Sequence, residues 1–342
     1  MKDKIKKIIK LGFFISLSVI LLYLAFRNID LSEVFTELRE AEYLWVLLAL
    51  AVTFMAHLSR TRRWVLLIKP LGYKPRFTSA YHSLMIGYLF NFAAPRLGEL
   101  TRCVALGRKE KIPVDRLFGT VIAERVFDLI SMFIIMFIML LGRSSQMDSF
   151  LRINIFQALG NKISSFFGYS TLFIILLLLF HAAIFILFAI YRKRMKKMHI
   201  YTRTRDIIKG VFSGLKTFIK MKDKAEFILH SIIIWSFYII MTWVIFFALP
   251  STSHLHFGDA VFILVIGSLG MAAPVQGGIG AFHWIVSRGL NVVYDIDLKD
   301  ALAYATLSHE SQLVLIAILG TISFYFIMGR SRRAGDETEA EN

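Results

Sequence analysis

Ile266-Gly267-Ser268-Leu269-Gly270-Met271-Ala272-Ala273-Pro274-Val275-Gln276-Gly277-Gly278 is an apolar half-span that ends in Ala-Ala-Pro and runs into glycine. About 180 residues earlier the chain reads Ile86-Gly87-Tyr88-Leu89-Phe90-Asn91-Phe92-Ala93-Ala94-Pro95-Arg96-Leu97-Gly98-Glu99, the same phrase with a different ending. Proline cannot continue a helix ladder and glycine supplies the unusual dihedrals of a turn, so each phrase predicts a broken helix. Gly/Pro-interrupted apolar segments at matching places in two halves point to the binding region of a transporter. The two phrases therefore predict a channel, carrier or flippase.

The rest of the composition agrees. Of 342 residues 56% are hydrophobic, and a mean hydropathy of +0.62 marks an integral membrane protein. The net charge of +16 lies in short segments between apolar runs, the pattern that encodes topology, which excludes nucleic acid as the partner. Cys103 is the one cysteine, so no internal disulfide and no thiolate metal cluster can form. Lys2, Lys4, Lys6, Lys7 and Lys10 precede an apolar run without a small-x-small cleavage site, which predicts an uncleaved first span.

Six stretches are long enough to cross the bilayer, at about 11–27, 43–59, 117–142, 168–191, 225–249 and 300–329. Loop 28–42 is acidic and is expected outside; Arg60, Arg62, Arg63, Lys69, Lys74 and Arg76 place the next loop in the cytoplasm. Arg96, Arg102, Arg108, Lys109, Lys111 and Arg116 follow the first broken segment, so both its flanks are basic. A re-entrant hairpin at 78–107 satisfies this, and a second at 259–290 enters from the other side. The expected fold is an all-α polytopic membrane protein with six transmembrane helices plus two re-entrant hairpins, arranged as an inverted repeat of 43–142 and 225–329. The membrane domain covers 1–330. Residues 192–224, with twelve Lys and Arg, read as a basic amphipathic cytoplasmic segment. The acidic tail 331–342 is expected to be disordered. Both termini fall in the cytoplasm of a bacterial cell, with the chain in its inner membrane.

Charges inside spans are costly, about 2.5–3.5 kcal/mol each by insertion scales. Glu124, Arg125 and Asp128 lie seven or more residues inside an apolar run and share one helix face. They read either as an internal ion pair that locks helices or as a headgroup- or proton-handling site. Arg96, Glu99 and Arg102 recur every third residue after Pro95; the arginines can hold a lipid phosphate bidentately or pair with Glu99. Gln276, Gly277, Gly278 and Gly280 supply bare backbone N–H groups or simply a tight turn. His309-Glu310 and His283 are the titratable groups of the second half, suited to proton coupling or to an interhelical hydrogen bond. Arg60-Thr61-Arg62-Arg63-Trp64 closes the second span and reads first as an interfacial anchor. Neither a catalytic motif, a cofactor motif nor a metal-ligand spacing occurs, and no soluble stretch could house an enzyme.

Arg60-x-x-Arg63-Trp64, Asn91-x-x-x-Pro95-Arg96-x-Gly98-Glu99-x-x-Arg102, Glu124-Arg125-x-x-Asp128 and Pro274-x-x-Gly277-Gly278-x-Gly280 together resemble the lysylphosphatidylglycerol synthase transmembrane family, also called the flippase-like or UPF0104 family, over about 11–330. The resemblance implies translocation of a polar, anionic or aminoacylated phospholipid or glycolipid between leaflets. The synthase domain of the best-understood relatives is absent up to Asn342, which removes aminoacyl transfer from the expectation. Expected site residues are Asn91, Arg96, Glu99, Arg102, Glu124, Arg125, Asp128, Gln276, Gly277, Gly278, Gly280, His309 and Glu310, with no cofactor and no metal. Expected partners are membrane lipids, a separate lipid-synthesis enzyme and a second copy of the chain in a homodimer. The rivals are an integral headgroup or glycosyl transferase and a non-transporting partner of a lipid synthase.

Overall fold

A computed structural model of the chain describes residues 12, 16–27, 29–94, 97–141, 218 and 221–340, backbone alone at 140–141 and 328–340. The expected span 168–191, Pro95, Arg96 and nearly all of the basic segment 192–224 lie outside the described residues. Among the described residues every regular element is a helix.

α1 (Ser16–Phe26) is short and apolar. α2 (Leu31–Glu40) occupies what reads as a loop. Asp30 caps it by accepting the Ser32 N–H at 2.8 Å, and Val34 is buried beneath it. α3 runs Tyr43–Ile68 without interruption. The expected limit at 59 is therefore corrected: no helix breaker occurs before Pro70 and Gly72, and Gly72 takes the left-handed φ of 90° that ends the turn. The three arginines that looked like a loop find carboxylates along the helix, as described below.

Two helical hairpins follow the sequence expectation closely. α4 (Phe77–Phe90) and α5 (Leu97–Glu110) form the first. α6 (Val114–Leu141) is the long helix after it. α7 (Lys224–Phe246) begins the second half, α8 (Phe257–Ala272) and α9 (Ala281–Tyr294) form the second hairpin, and α10 (Leu298–Ala340) ends the chain. Its helical backbone covers most of the tail expected to be disordered; Ala, Glu and Arg there are good helix formers. Hairpin helices of 14 to 16 residues rise only about 21–24 Å, short of the roughly 30 Å hydrocarbon core. By contrast Tyr43–Leu71, Lys224–Phe246 and Leu298–Ile327 are long and apolar enough to cross it.

The two limbs of the first hairpin touch backbone to backbone. A Cβ on Gly87 would stand 2.8 Å from the Gly98 carbonyl oxygen, so only glycine lets the helices approach this closely. Asn91 at the tip accepts the Gly98 N–H at 2.9 Å, which satisfies one of the open donors at the start of α5. α10 crosses the back of this hairpin, where a Cβ on Gly320 would lie 2.7 Å from Leu89 Cβ. α3 and α7 pack side by side, α8 and α9 pack on each other, α9 packs on α10, and α8 packs on α7 and α6. Phe246, Phe262, Leu290 and Tyr304 are buried in the core of this second half. The outer faces of α6 and α10 carry exposed Phe133, Ile134, Phe137, Ile318 and Ile322, an apolar surface suited to lipid and costly in water. Each half thus has the order long helix, short hairpin, long helix.

Candidate functional site

Helical spacing builds a polar stripe on α3. Thr53, His57, Arg60 and Trp64 recur at intervals of three or four, with Thr61 beside Arg60, and all five are buried. α6 answers with Thr120, Glu124 and Asp128, each four residues on from the last, and α7 adds Phe227, Ser231 and Tyr238. Where these faces meet, arginines and carboxylates interlock.

Arg60 Nε donates to Glu124 Oε1 at 2.8 Å, its Nη2 to Asp128 Oδ2 at 2.6 Å, and its Nη1 to the Tyr238 hydroxyl at 2.8 Å. Arg63 Nη2 donates to Asp128 Oδ1 at 2.5 Å and lies 3.5 Å from Glu124 Oε1, while its Nη1 reaches the Ser231 hydroxyl at 3.3 Å. Arg102, from the return limb of the first hairpin, donates through Nη2 to Glu124 Oε2 at 2.9 Å. Its guanidinium also stacks over the Trp64 ring, 4.8 Å from the centroid. Glu124 is fully buried, and Arg63 and Arg102 nearly so. At the rim, Arg125 Nε donates to Glu99 Oε1 at 2.9 Å, with the Arg125 side chain 43% exposed.

Among the described residues four guanidiniums thus face three carboxylates, an excess of one positive charge. The buried Nε atoms of Arg63 and Arg102 have no hydrogen-bond partner among the described residues. A buried donor left open costs about 1–3 kcal/mol, so the network carries both charge and donor capacity for an anion. It also joins α3, α5, α6 and α7 mechanically. Arg62 to Glu226, 2.6 Å, and Lys69 to Asp223, 2.8 Å, continue the tie between α3 and the start of α7.

Trp64 locks the register of this face. Its Nε1 donates to Thr120 Oγ1 at 2.9 Å, and the Thr120 hydroxyl donates in turn to the Leu117 carbonyl at 2.6 Å. Trp64→Phe keeps most of the buried area but loses that bond and weakens the stacking on Arg102. It is expected to cost about 1–2 kcal/mol in equilibrium unfolding in mixed detergent. An unchanged midpoint would show that the indole N–H contributes nothing.

The expected site residues therefore fall into separate groups. Arg102, Glu124 and Asp128 meet in the buried network, and Glu99 and Arg125 pair at its rim. Glu99 does not partner Arg102, because Arg102 turns inward to Glu124. Asn91 uses its oxygen within the first hairpin, whereas Gln276 Oε1 ties the second hairpin to α1 by accepting from the Ser18 hydroxyl at 2.9 Å. Gly277, Gly278, His309 and Glu310 form a second cluster, with His309 Nε2 at 2.9 Å from the Gly277 carbonyl. The two hairpin tips come close, since a Cβ on Gly277 would lie 3.6 Å from the Phe92 ring.

Arg60 and Arg63 correct the reading of an interfacial anchor. They sit in the buried network because Glu124 and Asp128 compensate them. The continuation of the polar stripe beyond 59, with Arg60 and Trp64 in phase with Thr53 and His57, was the available signal. A separate apolar cavity of about 510 Å³ lies between α1, α2 and Thr306.

Residues 8–320 match the family described as the lysylphosphatidylglycerol synthase TM region. A UPF0104 membrane protein of Methanocaldococcus jannaschii is 28% identical over 125 residues, 36% of this chain and 37% of the relative. The chain thus aligns with little more than a third of that relative's length. No solved structure matches.

Proposed function

This chain belongs to the lysylphosphatidylglycerol synthase transmembrane family, and on that premise we propose that it moves a phosphate-bearing polar lipid between membrane leaflets. Membership supports a lipid-related role in a multi-pass membrane protein. The observation that carries the finer reading is the buried excess of positive charge, with the open Nε donors of Arg63 and Arg102. A lipid phosphate supplies the missing negative charge and accepts from both donors. Guanidinium suits this better than ammonium, because its planar fork matches phosphate oxygens. Phosphatidylglycerol and its aminoacylated forms share that phosphate.

In this reading the two short hairpins are re-entrant and the halves form an inverted repeat. Their tips meet near the membrane midplane, where Phe92 faces Gly277. One half rocks against the other around the polar centre, while acyl chains remain in the bilayer. Asp128 and the Glu99–Arg125 pair, partly exposed at the rim, pass the headgroup inward by exchanging ion-pair partners. Both termini lie in the cytoplasm, and a separate synthase supplies the lipid. A transport role is favoured over transferase chemistry because arginines already occupy the oxygens of Glu124 and Asp128, leaving neither free as a base.

Reconstitution in liposomes with leaflet-specific quenching of labelled lipids tests this. Phosphatidylglycerol or its lysyl form should cross at least about tenfold faster than in protein-free vesicles, and Arg102→Gln and Asp128→Asn should each remove most of that gain. A factor of ten corresponds to about 1.4 kcal/mol, within the range of one charge-assisted hydrogen bond. Movement equal to that of empty vesicles for every headgroup, from well-folded protein, would overturn the reading.

A further inference from the structure

His283 of α9 and His309 and Glu310 of α10 converge behind the second hairpin, away from the arginine network. His309 Nε2 lies 2.9 Å from the Gly277 carbonyl oxygen. A carbonyl only accepts, so that nitrogen carries the proton. In the neutral ring Nδ1 is then a bare lone pair, yet it faces Glu310 Oε1 at 3.2 Å. His283 Nε2 approaches the same carboxylate oxygen at 3.5 Å. Two lone-pair atoms directed at a carboxylate repel unless a positive centre lies among them.

The geometry points to a site for a zinc-class divalent cation, ligated by His283, His309 and Glu310. The three ligand atoms lie within 4.8 Å of one another. Around a tetrahedral ion with bonds of about 2.0–2.2 Å, ligand atoms sit about 3.3–3.6 Å apart; the 3.2 and 3.5 Å separations from Glu310 Oε1 meet this, and the two imidazole nitrogens, within 4.8 Å of each other, close on the ion by small ring rotations. Two imidazoles and one carboxylate suit zinc, cobalt, nickel or copper; calcium and magnesium prefer all-oxygen sets. The surroundings have the form of a ligating histidine, whose second ring N–H characteristically donates to a backbone carbonyl. Here the Gly277 carbonyl is that acceptor. On His283 the ligating atom is Nε2, the nitrogen that faces Glu310, and Nδ1 has no hydrogen-bond partner among the described residues.

Access and enclosure also fit. The His283 and His309 side chains are 2% and 4% exposed, whereas Glu310 is 46% exposed. An ion reaches the cluster from the Glu310 side, where a fourth position stays open to water or another ligand. Phe282 stacks on His309, 5.1 Å between centroids, and Phe26 of α1 lies 6.1 Å from His283. These rings limit the side chains to small movements. The ion would pin α9 and the Gly277 tip to α10, making the position of the second hairpin dependent on metal. None of this rests on the lipid reading.

The test uses the tag-free full chain in detergent, stripped by chelator and titrated with Co²⁺. We expect a tetrahedral-type visible absorption that saturates at one ion per chain and is displaced by Zn²⁺. Glu310→Gln should weaken the binding at least about tenfold, and His309→Gln and His283→Gln should abolish the band. Zn²⁺ should raise the melting midpoint of the stripped wild type and not that of the variants. Absence of a saturable band in the wild type would overturn the site and leave a proton on His309 as the bridging charge. A band that persists unchanged in Glu310→Gln, whose half-exposed side chain tolerates replacement, would equally overturn it.

Discussion

Glu124→Ala lowers stability by about 3–5 kcal/mol, the cost of leaving buried guanidiniums without their counter-charge. Glu124 is fully buried and takes Arg60 at 2.8 Å, Arg102 at 2.9 Å and Arg63 at 3.5 Å. Among the described residues no other group replaces it, since both Asp128 oxygens are already engaged by Arg60 and Arg63. The surrounding helices cannot relax to admit bulk water without separating α3 from α6. Equilibrium unfolding in mixed detergent reads the loss. A second arm separates the pairwise term: Arg102→Ala combined with Glu124→Ala should cost less than the sum of the single changes by at least about 1 kcal/mol, because the first removal already strands its partner. A single-variant cost below about 1 kcal/mol, with additive doubles, would mean that water already solvates the network. Stability and transport then divide cleanly, for Asp128 is partly exposed and its neutralisation tests the headgroup path at a smaller structural cost.

Most of the architecture is legible because its signals are local. Ala-Ala-Pro followed by glycine stops a helix wherever it occurs, so the hairpins expected at 78–107 and 259–290 agree with α4–α5 and α8–α9 to within a few residues. Glu124 and Asp128 stand out because charge is rare inside an apolar run. Arg60 and Arg63 were harder, since a basic cluster at the end of an apolar stretch anchors at an interface as readily as it pairs with acids more than sixty residues away. Only the fold brings those acids alongside. The same holds for His283, separated from His309 by 26 residues and by the whole of a helix turn-back. Its ligand-like approach to Glu310 has no sequence spacing to advertise it. α2 was legible and passed over: Leu31, Val34, Phe35 and Leu38 stand at i, i+3, i+4 and i+7 behind the Asp30 cap, but the acidic charge of 28–42 reads first as a topology signal. Network residues that meet through tertiary packing therefore escape a reading that finds breaks and isolated charges.

The second large effect separates three glycines that look equivalent in sequence. Gly277, Gly278 and Gly280 all have positive φ, at 57°, 80° and 82°. Gly277 lies in the ordinary left-handed region, its nearest neighbour to an added Cβ being the Phe92 ring at 3.6 Å; Gly277→Asn should cost less than about 1 kcal/mol, since asparagine visits that region. Gly278 carries backbone strain for any L residue, but an added Cβ would meet chiefly the flexible Met271 thioether. Gly278→Ala should therefore cost about 1–2 kcal/mol, the strain alone. At Gly280 the backbone, with ψ −49°, is outside the left-handed helical basin, and the obstacles to a Cβ are main-chain atoms. Leu22 N would stand at 2.7 Å and the Ser18 carbonyl oxygen at 2.9 Å. Neither can rotate away without moving α1, which also carries the Ser18 bond to Gln276. Strain and overpacking add, so Gly280→Ala should lose about 3 kcal/mol or more. The order Gly280 above Gly278 above Gly277, measured by unfolding midpoints at constant detergent, tests whether α1 truly seats against the second hairpin. Equal costs at Gly278 and Gly280 would mean that strain alone governs and that α1 is free to yield.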